Sequence, residues 1–248
     1  MILAGLTAMH LGIALAAALA AAFVRGLAGF GMAILLVPVL GLAIPPAEAV
    51  TIGNWLGLLI GLKDLRRNLS HAEASARTIA LFAVVATPAG VLALAHTAQP
   101  LARLLISLVA LGAFLLVLLP QRAPHPPGRL ATGLTGIASG VLTGFAGMPG
   151  PPVVPYYLGR RIEPQVARAS MLVIFMATSL AGVLSASALG VATLREPVLA
   201  LALFPAVLIG DWLGHQAFGK VSTGAWRLFT GLVLGAAALS ALVKLMYA

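Results

Sequence analysis

The sequence predicts an all-α integral membrane protein, a polytopic helical bundle of about eight transmembrane helices assembled from two homologous halves. Three observations predict it: the composition, the spacing of the apolar runs, and a Gly/Pro-rich cluster that occurs twice. Of 248 residues, 61% are hydrophobic and 8% charged, whereas soluble domains carry roughly a quarter charged residues. A soluble fold of this length would have to expose the surplus apolar surface to water. Lipid removes that conflict. The absence of cysteine excludes disulfides, thiolate metal sites and redox thiols.

The apolar runs fall in order at residues 3–24, 32–44, 47–62, 78–95 and 104–119, then at 130–146, 151–158, 169–189, 198–218 and 228–246. The first run has no basic residue before Arg25. Secretory signals open on a positive region, so this run is read as a retained membrane segment. The intervening stretches KDLRRNLSHAEASAR, PQRAPHPPGR, LGRRIEPQVAR and GKVSTGAWR are polar, basic or proline-rich. The 15 Lys and Arg against 6 Asp and Glu would point to nucleic acid in a soluble chain. Here the cations sit singly or in small groups between apolar runs, as in cytoplasmic loops, and no nucleic-acid partner is expected.

The second set of runs repeats the first. Gly26-Leu-Ala-Gly29 is answered by Gly144-Phe-Ala-Gly147, Val37-Pro38 by Val154-Pro155 with a slip of one, Pro46 by Pro164, and Arg103-Leu-Leu-Ile by Arg227-Leu-Phe-Thr. The common order makes residues 1–122 and 128–248 two repeats, joined by a proline-rich linker at 123–127. The basic residues then choose a threading. If each half makes four simple crossings, they divide almost evenly between the two sides. If each half opens with a helix that enters the membrane, breaks at its glycines and turns back, one face collects Lys63, Arg66, Arg67, Arg77, Arg122, Arg129, Arg160, Arg161, Arg168, Lys220 and Arg227. Arg103, Arg195 and Lys244 remain opposite, and Arg25 lies within the membrane. The positive-inside rule selects the second threading, with inverted halves in the cell inner membrane, basic loops cytoplasmic and termini external.

The chemistry is expected at the two clusters. Glycine and proline at this density interrupt helices and free backbone N–H and C=O groups. In hydrocarbon such breaks survive only inside protein or beside a cavity. A helix restarting after each break presents unpaired N–H groups and a partial positive charge, a site for an anion. The candidate binding residues are Arg25, Gly26, Ala28, Gly29, Gly31 and Asn54 in the first half. In the second they are Gly144, Ala146, Gly147, Met148, Gly150, Thr178 and Ser179. The plainer reading of the glycines is close helix packing; for Arg25 it is snorkelling to an interface, since Thr143 holds the matching place. Asn54, Thr178 and Ser179 either donate to a cargo oxygen or bond a neighbouring helix. Asp211 and His215 share a helical face and are candidates for proton coupling. His10, His71, His96 and His125 are too scattered to hold a metal, and no cofactor is expected. Enzymatic chemistry is not expected either, because Ser139 has no histidine partner and Asp211 is a solitary intramembrane carboxylate.

Through GVLTGFAGMPGPPVVPYYL, ARASMLVIFMATSLAGVLSASALG and FPAVLIGDWLGHQAFGKVSTGAWRLF, with FVRGLAGFGMAILLVPVLGLAIPPAEAV in the first half, the chain resembles the TauE/SafE family of sulfite exporters. The resemblance covers nearly the whole chain. It implies a small duplicated transporter of sulfite, sulfonates or related organosulfur anions. Two departures stand out: Met148-Pro-Gly-Pro-Pro152 replaces a denser glycine run, and Asp211 takes the place of a small or apolar residue beside Gly210. The expected partners are a small anion and the bilayer, with protons as a candidate coupling ion and a homo-oligomer as a candidate assembly. Another small anion (a carboxylate, an amino acid or an oxyanion) and a passive anion channel are the competing readings.

Overall fold

The computed structural model describes residues 8–63, 65–118, 127–158 and 162–217, and among these it is helical with no strand. In chain order the helices are α1 (Ala8–Ala28), α2 (Met32–Ala43), α3 (Pro46–Lys63), α4 (Leu65–His71), α5 (Ala74–Ala95), α6 (Gln99–Leu118), α7 (Arg129–Ala146), α8 (Gly150–Leu158), α9 (Pro164–Ala188) and α10 (Arg195–Ala217). Five of them, α1, α5, α6, α9 and α10, are long and apolar enough to cross a membrane. The 12 residues of α2 and the 9 of α8 span only about 18 and 14 Å, short of a hydrocarbon core of about 30 Å. The protein is thus a polytopic helical membrane protein with two half-length helices. The final apolar run, residues 228–246, lies outside the described residues.

Each half-helix follows a glycine break and doubles back. Ala43 and Ile44 at the end of α2 share one small apolar cavity with His10, Leu11 and Ala14 at the start of α1. Tyr156 near the end of α8 hydrogen-bonds Thr132 in the first turn of α7 at 3.0 Å. The second break is closed by a left-handed Gly147, with the Gly147 N–H donating to Thr143 at 2.8 Å and the Met148 N–H to Leu142 at 3.2 Å. This pattern ends a helix by satisfying its last carbonyls. The buried Ser139 hydroxyl donates to the Pro149 carbonyl at 2.9 Å and braces the turn.

Small residues set the long-range packing. Lipid gives apolar helices no reason to associate, so they hold together by backbone approach and van der Waals contact. Gly210 lies over Leu19 and Gly214 over Phe23 and Gly26, so α10 runs parallel to α1. Gly136 lies over Ile79, Gly140 over Ala83 and Gly144 over Thr87, so α7 runs parallel to α5. The third pair is antiparallel: along α3, Asn54, Gly57 and Gly61 meet Gly182, Ser179 and Met176 of α9 in reverse order.

These directions sort the chain into two ends. At one end Arg103 Nε donates to the Gly41 carbonyl at 2.7 Å and Arg195 pairs with Glu48 at 3.3 Å. The α10 helix starts there with the Thr193 N–H and hydroxyl both donating to Glu196, at 2.7 and 2.8 Å. At the other end the Glu73 N–H donates to Ser170 at 2.8 Å and Ser75 meets Tyr157 at 3.0 Å. That end also carries Lys63, Arg66, Arg67, Arg77, Arg129 and Arg168. Among the described residues, the basic side chains are thus gathered mainly at one end of the bundle. Arg122, Arg160, Arg161, Lys220, Arg227 and Lys244 lie outside the described residues.

A Cβ at Gly90 would meet the Val141 carbonyl oxygen, whereas nothing lies within 4 Å of one at Gly12. Gly90→Leu is expected to lower the thermal unfolding midpoint in detergent by several degrees, in line with an overpacking cost of about 1–3 kcal/mol. Gly12→Leu should leave it unchanged.

Candidate anion site between two broken helices

A cavity of about 60 Å³ opens where the two breaks face each other. A single water needs roughly 10–15 Å³ on this measure, so the space suits a compact ion with few atoms. Its walls come from five helices: Arg25 from α1, Gly31 and the first turn of α2, a row of glycines on α3, the break before α8, and Leu172, Phe175, Met176 and Ser179 of α9.

The polar wall is mostly backbone. Gly31 is left-handed at φ 99 with no side chain capping the helix that follows. Residues Met32, Ala33 and Ile34 form the first turn of α2 and line the cavity, and first-turn N–H groups have no partner within their own helix. The matching turn of α8 reads Gly150-Pro-Pro-Val153. Its prolines have no N–H to offer, so α8 brings two first-turn donors where α2 brings more. Gly53, Gly57 and Gly61 stand at i, i+4 and i+8 on α3, a spacing that keeps them on one face. A Cβ at Gly57 would lie 2.5 Å from the Ser179 hydroxyl, and one at Gly61 would lie 2.7 Å from Met176. Gly57 and Gly61 thus admit α9 to the cavity wall, while Gly53 makes room for Val37 of α2.

Arg25 is the charged residue on that wall and is 8% exposed. Its guanidinium donates to Asp211 Oδ1 at 2.6 Å. Asp211 is fully buried, and its Oδ2 accepts no hydrogen bond. Lys63 Nζ stands 3.5 Å from that oxygen and His215 Nδ1 3.7 Å. His215 Nδ1 donates to the Asp211 backbone carbonyl at 2.8 Å, while its Nε2 faces Arg168 Nη2 at 2.9 Å. A carbonyl only accepts and a guanidinium only donates, so the Nδ1–H tautomer of His215 satisfies both contacts. Two cations, Arg25 and Lys63, thus face the single Asp211 carboxylate.

A second, more open pocket of about 320 Å³ adjoins the first at Leu172, which lines both. Arg67, Asn68, His71, Gln165, Arg168 and His215 surround it at the basic end of the bundle. Cations around a cleft raise the local concentration of anions.

The structure divides the residues expected from sequence. Arg25, Gly31, Gly147, Met148, Gly150 and Ser179 line the cavity. Gly26 and Gly144 face away and admit helix crossings, Gly26 against Asp211 and Gly214, Gly144 against Thr87 and Gly90. Ala28 packs in a side cluster with Phe30, and Ala146 lies in the main core. Gly29 turns beside the Arg168 side chain. Thr178 donates to its own helix at Ile174 and Phe175, 3.0 and 3.1 Å away. Asn54 is buried against Gly182, one position off the glycine row, with Oδ1 unpartnered. Sequence reasoning missed the glycine row, although the spacing in GNWLGLLIG carries it. It also missed the apolar wall of Phe30, Leu172, Phe175 and Met176, which nothing distinguishes from ordinary core residues.

The family model for the sulfite exporter TauE/SafE matches residues 14–241. A curated relative from Cupriavidus necator (strain H16), named probable sulfite/organosulfonate exporter TauE, is 26% identical over 229 residues, 87% of this chain and 88% of the relative. No solved structure matches.

The backbone at Gly31, left-handed at φ 99, is one that a Cβ opposes at a cost of roughly 1–2 kcal/mol. At Gly150 the nearest atom to a Cβ is 3.7 Å away. Gly31→Ala is expected to lower the unfolding midpoint while Gly150→Ala leaves it in place, measured by heating the purified protein in detergent.

Proposed function

The chain belongs to the sulfite exporter TauE/SafE family, and on that premise we propose that it is a secondary transporter of a small organosulfur anion. Sulfite, or a sulfonate with a short apolar tail, is the cargo that the cavity suits. The observation that carries this reading is the convergence of two helix starts and Arg25 on one compact cavity. Helix N-termini hold oxyanions through oriented N–H groups, and a guanidinium adds charge-assisted bonds to them. The apolar wall of Phe30, Leu172, Phe175 and Met176 accommodates the lone-pair side of sulfite or a methyl group.

The proposal includes the duplication, with residues 1–122 and 128–248 as inverted repeats. The matching parallel pairs α1/α10 and α5/α7, and the antiparallel α3/α9 pair between them, support it. Alternating access then comes from rocking such pairs about a fixed central cavity. The end that carries Lys63, Arg67, Arg129 and Arg168 is the cytoplasmic one by the positive-inside rule, in a cell inner membrane, with the cargo approaching through the basic pocket beside Leu172. No enzymatic step is part of this reading.

Uptake of radiolabelled sulfite into proteoliposomes tests it. Saturable flux is expected, competed by methanesulfonate more strongly than by acetate or glycine, and reduced at least about tenfold in Gly147→Leu protein that still elutes as folded. An imposed pH gradient in the same assay reads coupling to protons. Non-saturating flux that follows the anion's own gradient would replace the carrier with a channel, and full flux through Gly147→Leu would remove the broken-helix site.

A further inference from the structure

Resting on the transport reading, we propose that Asp211 is a tethered substitute for the cargo: its carboxylate occupies Arg25 in the empty site, and an arriving anion displaces it toward Lys63. Three observations lead there.

The first is that the helix crossing holding this ion pair occurs twice, and its other copy has no ions. Gly26 of α1 packs on Gly214 of α10 as Gly144 of α7 packs on Gly90 of α5. One residue before the first glycine of each crossing stand Arg25 and Thr143. Three residues before the second stand Asp211 and Thr87. Thr143 and Thr87 are fully buried, and each donates to its own helix at 2.7 Å, to Ser139 and Ala83. The crossing therefore forms with two self-satisfied threonines. A buried ion pair in its place adds desolvation cost with no packing need.

The second observation is where the two charges point. Arg25 lines the cavity and Asp211 does not, so the pair reaches the cargo space through its cation alone. Whatever oxyanion enters meets a guanidinium already occupied by an oxyanion of the same kind. The two must compete for the same donor.

The third is that Asp211 has a second place to go. Oδ1 holds Arg25 at 2.6 Å, while Oδ2 accepts nothing and faces Lys63 Nζ at 3.5 Å. Lys63 ends α3 and its side chain is about half exposed at the basic end. When cargo takes Arg25, the carboxylate shortens its contact with Lys63 and the ionic tie of α10 passes from α1 to α3. When the carboxylate returns, it expels the cargo. Asp211 is on this account a positioning residue that sets both affinity and release.

The test compares wild type, Asp211→Asn, Arg25→Thr and the double variant Arg25→Thr/Asp211→Thr. Three quantities are read: equilibrium binding of radiolabelled sulfite, sulfite counterflow in proteoliposomes, and the thermal midpoint. Because Asp211 and the cargo compete for one guanidinium, Asp211→Asn is expected to bind sulfite about tenfold or more tightly and to exchange it more slowly. Arg25→Thr should lower the midpoint by stranding a buried carboxylate. The double variant, copying Thr143 and Thr87, should recover the wild-type midpoint without recovering sulfite binding. Asp211→Asn protein that stays folded yet binds sulfite no tighter than wild type would overturn the proposal. So would a double variant as unstable as Arg25→Thr, because the pair would then be structural. If wild type binds sulfate or acetate in place of sulfite, only the cargo assignment fails. The ratio of Asp211→Asn to wild-type affinity for that anion then decides the role of Asp211.

Discussion

Everything in this fold depends on the rule that a backbone N–H or C=O in hydrocarbon must have a partner. A continuous helix obeys it without help, and α1, α5, α6, α9 and α10 obey it that way. Breaking a helix inside the membrane violates it unless other protein supplies the partners. At the second break the chain supplies them itself: the left-handed Gly147 returns two N–H groups to α7, and Ser139 caps the Pro149 carbonyl. At the start of α2 no side chain does so. Those donors face a cavity, and unpaired donors around a cavity are the physical basis of the proposed anion site.

Keeping such a site compact requires helices that come closer than side chains normally allow. Gly26, Gly90, Gly140, Gly144, Gly210 and Gly214 serve the outer pairs, Gly57 and Gly61 serve the inner one, and Gly53 makes room for Val37 of α2. These are two uses of one residue type. In the outer pairs glycine brings backbone against backbone and builds the scaffold. On α3 it yields space to Ser179 and Met176 and shapes the cavity wall. Glycine content alone separates neither use from the other, nor either from a turn.

That ambiguity explains what the sequence disclosed and what it withheld. The membrane class, the helical runs and the two breaks were legible because they follow from composition and from glycine and proline chemistry, which act locally. Gly31, Gly147, Met148 and Gly150 were placed at the cavity for that reason. Gly26 and Gly144 were assigned to the same site from the same clusters, but their phase on the helix turns them onto α10 and α5. Thr178 and Ser179 are neighbours in sequence with different fates: Thr178 bonds its own helix, and Ser179 meets the glycine row. Phase on a helix was not resolved by residue type, so side-chain identity named more candidates than the cavity holds. The partnership of Arg25 with Asp211 spans the two halves of the chain and has no local signature.

The two halves also contribute unequally, and the inequality has a chemical origin. Pro151 and Pro152 remove N–H donors from the first turn of α8, while Met32, Ala33 and Ile34 keep theirs on α2. Arg25 reinforces the first half again, where the second has a threonine that is spent on its own helix. In the proposed site, charge recognition is thus concentrated on the α1–α2 side, and the other side supplies Met148, Pro149, Phe175 and Met176, which shape the space but attract no charge, with Ser179 as its polar side chain. A pair of identical broken helices would hold an anion from both sides and release it reluctantly to either. An anion held chiefly from one side leaves more readily when that side is disturbed, and Asp211 stands against Arg25, on that side, where such a disturbance would begin.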